Sequence, residues 1–172
     1  MNRNCLGAGS FCRNRIALHG MDATIRPAGP DDAAAIADMH YRSRKQAFQG
    51  HIADEILDDL EALERDWAAF FRAPDGRVAV AEVDDEIVGI AYGIPGERTE
   101  LRNLYLLESA SGSGVAQRLL DGVIHPGESA FLWVADFNDR AQAFYTKLGF
   151  TFDGETKRHQ GDDIVVSRMV RD

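Results

Sequence analysis

The stretch from Glu100 to Asp121, ELRNLYLLESASGSGVAQRLLD, constrains the fold more than any other part of the chain. Leu101 to Leu107 is apolar and aromatic enough for an interior strand. Ser111-Gly112-Ser113-Gly114 then offers no large side chain to keep a ligand away from the backbone. From Val115 the apolar residues Val115, Ala116, Leu119, Leu120 and Val123 fall at helical spacing, so the chain passes from strand through glycine turn to helix. Unpaired N–H groups and the positive end of the helix dipole at such a junction suit a phosphate or pyrophosphate. A plain Gly-Ser turn accounts for the same residues.

Two common phosphate-binding patterns fail here. A P-loop needs Gly-Lys-Ser/Thr, but Val115 follows Gly114; a dinucleotide fingerprint needs a third glycine where Gln117 stands. The nucleophile elbow G-x-S-x-G is also absent, because Gly112 directly precedes Ser113.

With 172 residues, 45% of them hydrophobic, and no repeat, the chain can bury one good core. No apolar run approaches the roughly eighteen residues of a membrane span, so a soluble protein with no membrane partner is expected. A net charge of −9 argues against nucleic-acid binding and is compatible with attracting a cationic small molecule. Residues 1–20 differ from the rest: they hold Arg3, Arg13, Arg15, Cys5 and Cys12 but no acidic residue. They read as a disordered leader or a misplaced start, with the folded domain spanning 21–172; a transit peptide is the alternative. The cysteine spacing fits neither a metal site nor a disulfide framework, and a reducing cytoplasm is the default.

Elsewhere the pattern predicts a short strand over 23–27 and a helix from the Gly29-Pro30-Asp31-Asp32 start to about Phe48, with Ile36, Met39, His40 and Ser43 on one face. A second helix is expected over 54–73, its stripe of Ile56, Leu57, Leu60, Leu63, Trp67, Phe70 and Phe71 forming core. Residues 77–83 and 87–94 read as a hairpin. Ala130 to Ala135 reads as a strand buried on both faces, and Asn138 or Asp139 as the cap of a short helix through Lys147. Two final strands follow, over 150–153 and 164–169.

Two motifs in this order resemble the GCN5-related N-acetyltransferase family. Ser111-Gly112-Ser113-Gly114-Val115-Ala116 is similar to its acyl-CoA signature (Arg/Gln)-x-x-Gly-x-(Gly/Ala), with Ser111 departing at the first position; Glu108 departs where many relatives carry proline. Asn138-Asp139-Arg140-Ala141-Gln142-Ala143-Phe144-Tyr145 with Lys147-Leu148-Gly149-Phe150 resembles N-x-x-A-x-x-F/L-Y-x-x-x-G-F more specifically. The resemblance implies a single-domain α/β (α+β) acetyltransferase fold, with a mixed central sheet of about six to seven strands flanked by about four helices.

It also implies acetyl-CoA as cosubstrate, no metal, and an amine-bearing small molecule or peptide as acceptor; a homodimer is allowed. Tyr145 matches the family's general acid, which would protonate the leaving thiolate. Asn138 matches the residue that hydrogen-bonds the CoA chain. The main-chain groups of Leu104, Tyr105 and Leu106 would hold the pantetheine, and those of Gly112, Ser113, Gly114, Val115, Ala116 and Gln117 the pyrophosphate. An alkyl ammonium, with a pKa near 10.4, must lose a proton before attack, so a base or a proton-carrying water is required. Glu100 stands where some relatives place that base; a solvated strand-end carboxylate is its structural alternative. His40 and His51 are further candidates. An acyl-CoA-binding regulator without catalysis is the competing functional reading.

Overall fold

The computed structural model describes residues 22–158 and 164–172. The leader, with Cys5 and Cys12, and the expected domain start at Met21 lie outside the described residues. Strand β1 (Thr24–Pro27) leads through a single 3-10 turn into helix α1 (Ala33–Phe48), whose Ile36, Ala37, Met39, His40 and Ser43 are buried as the periodicity predicts. The one-turn helix α2 (Asp54–Leu57) and helix α3 (Leu60–Arg72) follow. Strands β2 (Arg77–Val83) and β3 (Glu86–Ile94) form the expected hairpin. Its tip carries Asp84 and Asp85 at φ 49° and 64°, a left-handed pair that aspartate tolerates and that matches the strand twist of a tight two-residue turn.

The predicted continuous helix over 54–73 is instead two helices. Asp59 breaks it by accepting a hydrogen bond from the Ala62 amide as the cap of α3, a local bond that aspartate makes in competition with helix continuation. Asp58 binds Lys45 and Tyr41 of α1. Leu57, Leu63 and Trp67 are core, whereas Ile56 is 38% exposed because the break turns it out of the stripe.

Strand β4 (Thr99–Leu106), helix α4 (Val115–Val123), strand β5 (Ala130–Ala135), helix α5 (Asp139–Lys147) and strands β6 (Thr151–Arg158) and β7 (Val165–Arg171) complete the chain. The seven strands form one mixed sheet in the order β1-β2-β3-β4-β5-β7-β6, with the parallel β4–β5 pair at its centre. Four helices of nine residues or more, with the short α2, flank it. The α/β class and strand number agree with expectation. Strand β5 departs from it: Phe131 and Trp133 are only partly buried, so one face is core, while on the other Trp133 lines a cavity.

Helix α4 packs closely on the sheet because β3 places two glycines, Gly89 and Gly93, beneath it. A Cβ at Gly89 would stand 2.9 Å from Leu119 Cδ1, and one at Gly93 would stand 3.1 Å from Val123 Cβ. Val115, Leu119, Leu120 and Val123 are fully buried there, each worth about 1.5–3 kcal/mol against exposure. This packing fixes where the N-terminus of α4 points. No helix among the described residues is long and apolar enough to cross a membrane.

Candidate active site

The parallel pairing of β4 and β5 stops early. Only Thr99, Glu100 and Leu101 pair, with Ala130, Phe131 and Leu132. Beyond Leu101, β4 continues to Leu106 against β3 alone, and a register shift beside Tyr92 makes Arg102 an extra residue. Such a bulge bends and twists its strand. It bends β4 where the sheet opens, leaving a strand edge able to accept an extended ligand.

Glu128 holds the closed end of this opening. Its carboxylate takes both terminal guanidinium nitrogens of Arg77 at 2.7 and 2.8 Å, the Thr99 hydroxyl at 3.2 Å and the His125 amide at 3.0 Å. The Arg77 bonds, with the backbone bond next, hold its pKa down at about 2. Sequence reading missed this residue, since its partners come from three separate segments.

At the other end stands the glycine turn. Gly112 and Gly114 sit at φ +77° and +85°, and nothing lies within 4 Å of a Cβ built at either. Both observations match a turn whose backbone is open to a close ligand. Ser113 donates its hydroxyl to the Ala110 carbonyl at 2.6 Å and accepts the Val115 amide at 3.4 Å, so its side chain serves the turn. Gly114, at the cap position of α4, supplies no capping side chain. The departing Glu108 has its own use: its amide donates to Gln46 Oε1 at 3.2 Å, tying the end of β4 to α1, a bond proline could not make.

On α5, Asn138 Oδ1 accepts from the Ala141 amide at 3.0 Å. Its amide nitrogen is left for other work. Gln142 Nε2 donates to the carbonyls of Ala135 and Asp136 at 3.2 and 3.0 Å, bracing α5 against the end of β5. Tyr145 packs among Phe144 and Phe150 in the core. Its hydroxyl makes no hydrogen bond with another described residue. Burial first, and Tyr105 second, raise the phenol pKa above its ordinary 10.0; the group therefore stays protonated and able to donate.

A cavity of about 390 Å³ lies on the α1 side of the opening. Glu100, Arg102, Asn103 and Tyr105 reach it from β4, His40 and Arg44 from α1, Trp133 from β5 and Lys157 from β6. The structure thus brings Glu100 and Tyr105 together, while Tyr145, Asn138 and the glycine turn lie outside the cavity lining. Glu100 faces Arg102 at 3.6 Å.

Neither histidine behaves as the base considered above. His40 is 7% exposed; burial, with a smaller push from Arg44, lowers its pKa to about 3. Its Nδ1 accepts the Trp67 indole N–H at 3.3 Å, so the neutral ring carries its proton on Nε2 and has no lone pair for an amine. His51 stacks on Phe137, with ring centroids 3.9 Å apart, and does not line the cavity.

This geometry agrees with three comparisons. The family model described as Acetyltransferase (GNAT) family matches residues 38–150. The Mycobacterium tuberculosis protein named "Probable N-acetyltransferase Rv2775" is 28% identical over 142 residues, covering 77% of this chain and 82% of that one. The Mycobacterium bovis protein named "Uncharacterized N-acetyltransferase Mb2688" is 31% identical over 132 residues, covering 70% and 83%. Among solved structures, the PaiA N-acetyltransferase of Thermoplasma acidophilum, in complex with coenzyme A, superposes with a TM-score of 0.64 at 20% identity over 86% of this chain and 98% of that one. The sequence matches and the shared fold lead to one conclusion: the chain belongs to the acetyltransferase (GNAT) family and is an enzyme of the N-acetyltransferase class.

Proposed function

We propose that the protein moves an acetyl group from acetyl-CoA directly to a primary amine of a small molecule or peptide. The observation that carries this reading is the sheet opening beyond Leu101, with an open glycine turn on one side and the Glu100 cavity on the other. The coenzyme A bound by the Thermoplasma protein supports the choice of cosubstrate. Main-chain groups of Leu104, Tyr105 and Leu106 would take the pantetheine as an added strand, which uses backbone rather than side-chain identity. The N–H groups from Gly112 to Gln117 would take the pyrophosphate at the start of α4, and the Asn138 amide nitrogen would bond the pantetheine.

In the reaction, Glu100 accepts a proton from the ammonium, directly or through water, and the neutral amine attacks the thioester carbon; the nitrogen of the adduct then releases its second proton to solvent. The carbon–sulfur bond breaks, and Tyr145 donates its phenolic proton, or a hydrogen bond, to the leaving sulfur. His40, held neutral, packs behind Tyr105 with ring centroids 4.5 Å apart and helps place that strand.

The test is release of free CoA from acetyl-CoA across a panel of amines, with the acetylated product identified by mass. Amine-dependent release is expected. Tight acetyl-CoA binding without transfer to any amine would favour the acyl-CoA-binding regulator instead.

A further inference from the structure

Among the described residues, the charge lining the cavity opposes that of the protein. The chain holds 28 acidic and 19 basic residues, yet the described residues lining the cavity include three cations, Arg44, Arg102 and Lys157, and one carboxylate, Glu100. Glu100 is already opposite Arg102. Arg44 makes no ion pair or hydrogen bond among the described residues. Lys157 holds its ammonium 3.8 Å from the Trp133 ring centroid, a cation–π contact that leaves it without a carboxylate partner among them. A concave site lined mostly by one sign of charge concentrates ligands of the other sign. Arg44 adds a planar fork suited to an oxyanion. Ile52, Trp133 and Val166 supply an apolar wall.

We propose that the cavity selects an amine acceptor that also carries an oxyanion, on a body with an apolar part. This rests on the acetyl-transfer reading above and narrows its acceptor class. Glu100 faces the amine, while Arg44 and Lys157 face the anion. A zwitterion such as an amino acid matches both ends; a polyamine meets Arg44 and Lys157, which have no carboxylate partner among the described residues, and is disfavoured. On this reading the net charge of −9, a sum over the whole sequence, does not set the preference of the cavity.

Two measurements test this. Calorimetry compares N-acetyl-L-phenylalanine with its neutral amide, and a transfer assay compares L-phenylalanine with L-phenylalaninamide and phosphoethanolamine with ethanolamine. The anionic member of each pair is expected to be favoured about ten-fold or more, equivalent to about 1.4 kcal/mol. The pair with the larger ratio identifies carboxylate or phosphate as the oxyanion. In Arg44→Gln combined with Lys157→Gln, shown folded by thermal unfolding, the ratio should fall to within about two-fold with acetyl-CoA affinity unchanged. Equal binding of acid and amide by the parent, or a preference that survives in the variant, would overturn the proposal. Absence of transfer to every amine would sink the acetyl-transfer reading alone, because the calorimetric ratio does not depend on turnover.

Discussion

On its α4 side, the sheet opening presents main chain; on its α1 side, it presents side chains. The α4 side consists of two left-handed glycines, a helix start and a strand edge, and its parts come from one stretch of sequence, from Thr99 to Val123. The α1 side gathers His40, Arg44, Glu100, Trp133, Lys157 and Val166 from five elements. A surface made of backbone can recognise the same chemical group whatever side chains neighbour it, so Ser111 can replace the family's Arg or Gln there. A surface made of side chains can change its preference with each substitution. The α4 side is thus suited to a constant cosubstrate and the α1 side to a particular acceptor.

If the chemistry falls between these two sides, the largest effects belong to the residues proposed to move protons. Tyr145→Phe keeps the ring and its packing, so thermal stability and acetyl-CoA affinity should stay near the parent's. Single-turnover transfer should slow by about 10² to 10⁴, which is about 2.7–5.4 kcal/mol of barrier. A Phe variant as fast as the parent would make Tyr145 a core aromatic and no more.

Glu100→Gln should slow turnover by about 10²-fold and change the rising limb of the pH–rate profile, with acetyl-CoA affinity preserved. An unaltered limb would pass the base role to water. Leu119→Ala bears on the scaffold of the α4 side. Removing a fully buried side chain that rests against Gly89 should cost about 2–5 kcal/mol in denaturant unfolding. A loss below about 1 kcal/mol would mean that α4 is not held to the sheet as described.

Much of the α4 side was legible because its determinants are local. Strand, turn and helix follow from apolar runs and glycines within the 22 consecutive positions from Glu100 to Asp121. The α5 motif was legible for the same reason, and Asn138 caps its helix as expected. The α1 side was not. Lys157 meets Trp133 only because β6 pairs with β7 and β7 with β5; no local pattern links the two residues. The helix break at Asp59 was hidden because the hydrophobic spacing runs straight through it, while one side-chain bond to the Ala62 amide decides the outcome. The Arg102 bulge is a property of pairing with β3 and leaves no mark in composition. The sequence offers His40 as a candidate base; only its burial and the bond from Trp67, a residue of another helix, remove it from that role.

Smaller effects sharpen the contrast further. Folded His40 has a pKa of about 3 against an ordinary 6.5, so between those values the unfolded chain binds a proton that the folded one does not. Stability should therefore fall as pH drops from about 6.5 toward 3, and this part of the acid sensitivity should be missing in His40→Phe. An unchanged slope of unfolding free energy against pH would place His40 in a wetter setting. Smallest of all, Asn138→Ala should lower stability by about 1 kcal/mol through loss of the helix cap. Any weakening of acetyl-CoA binding beyond that would come from the amide nitrogen.

The central claim, that acetyl-CoA enters between β4 and β5 and meets the glycine turn, is tested most directly by amide hydrogen exchange of the full chain with and without acetyl-CoA. Slowed exchange is expected in the peptides covering Asn103–Leu106 and Gly112–Gln117, with little change in β1 and β2. Saturating acetyl-CoA that leaves both segments unprotected, or protects only elements far from the opening, would contradict the account.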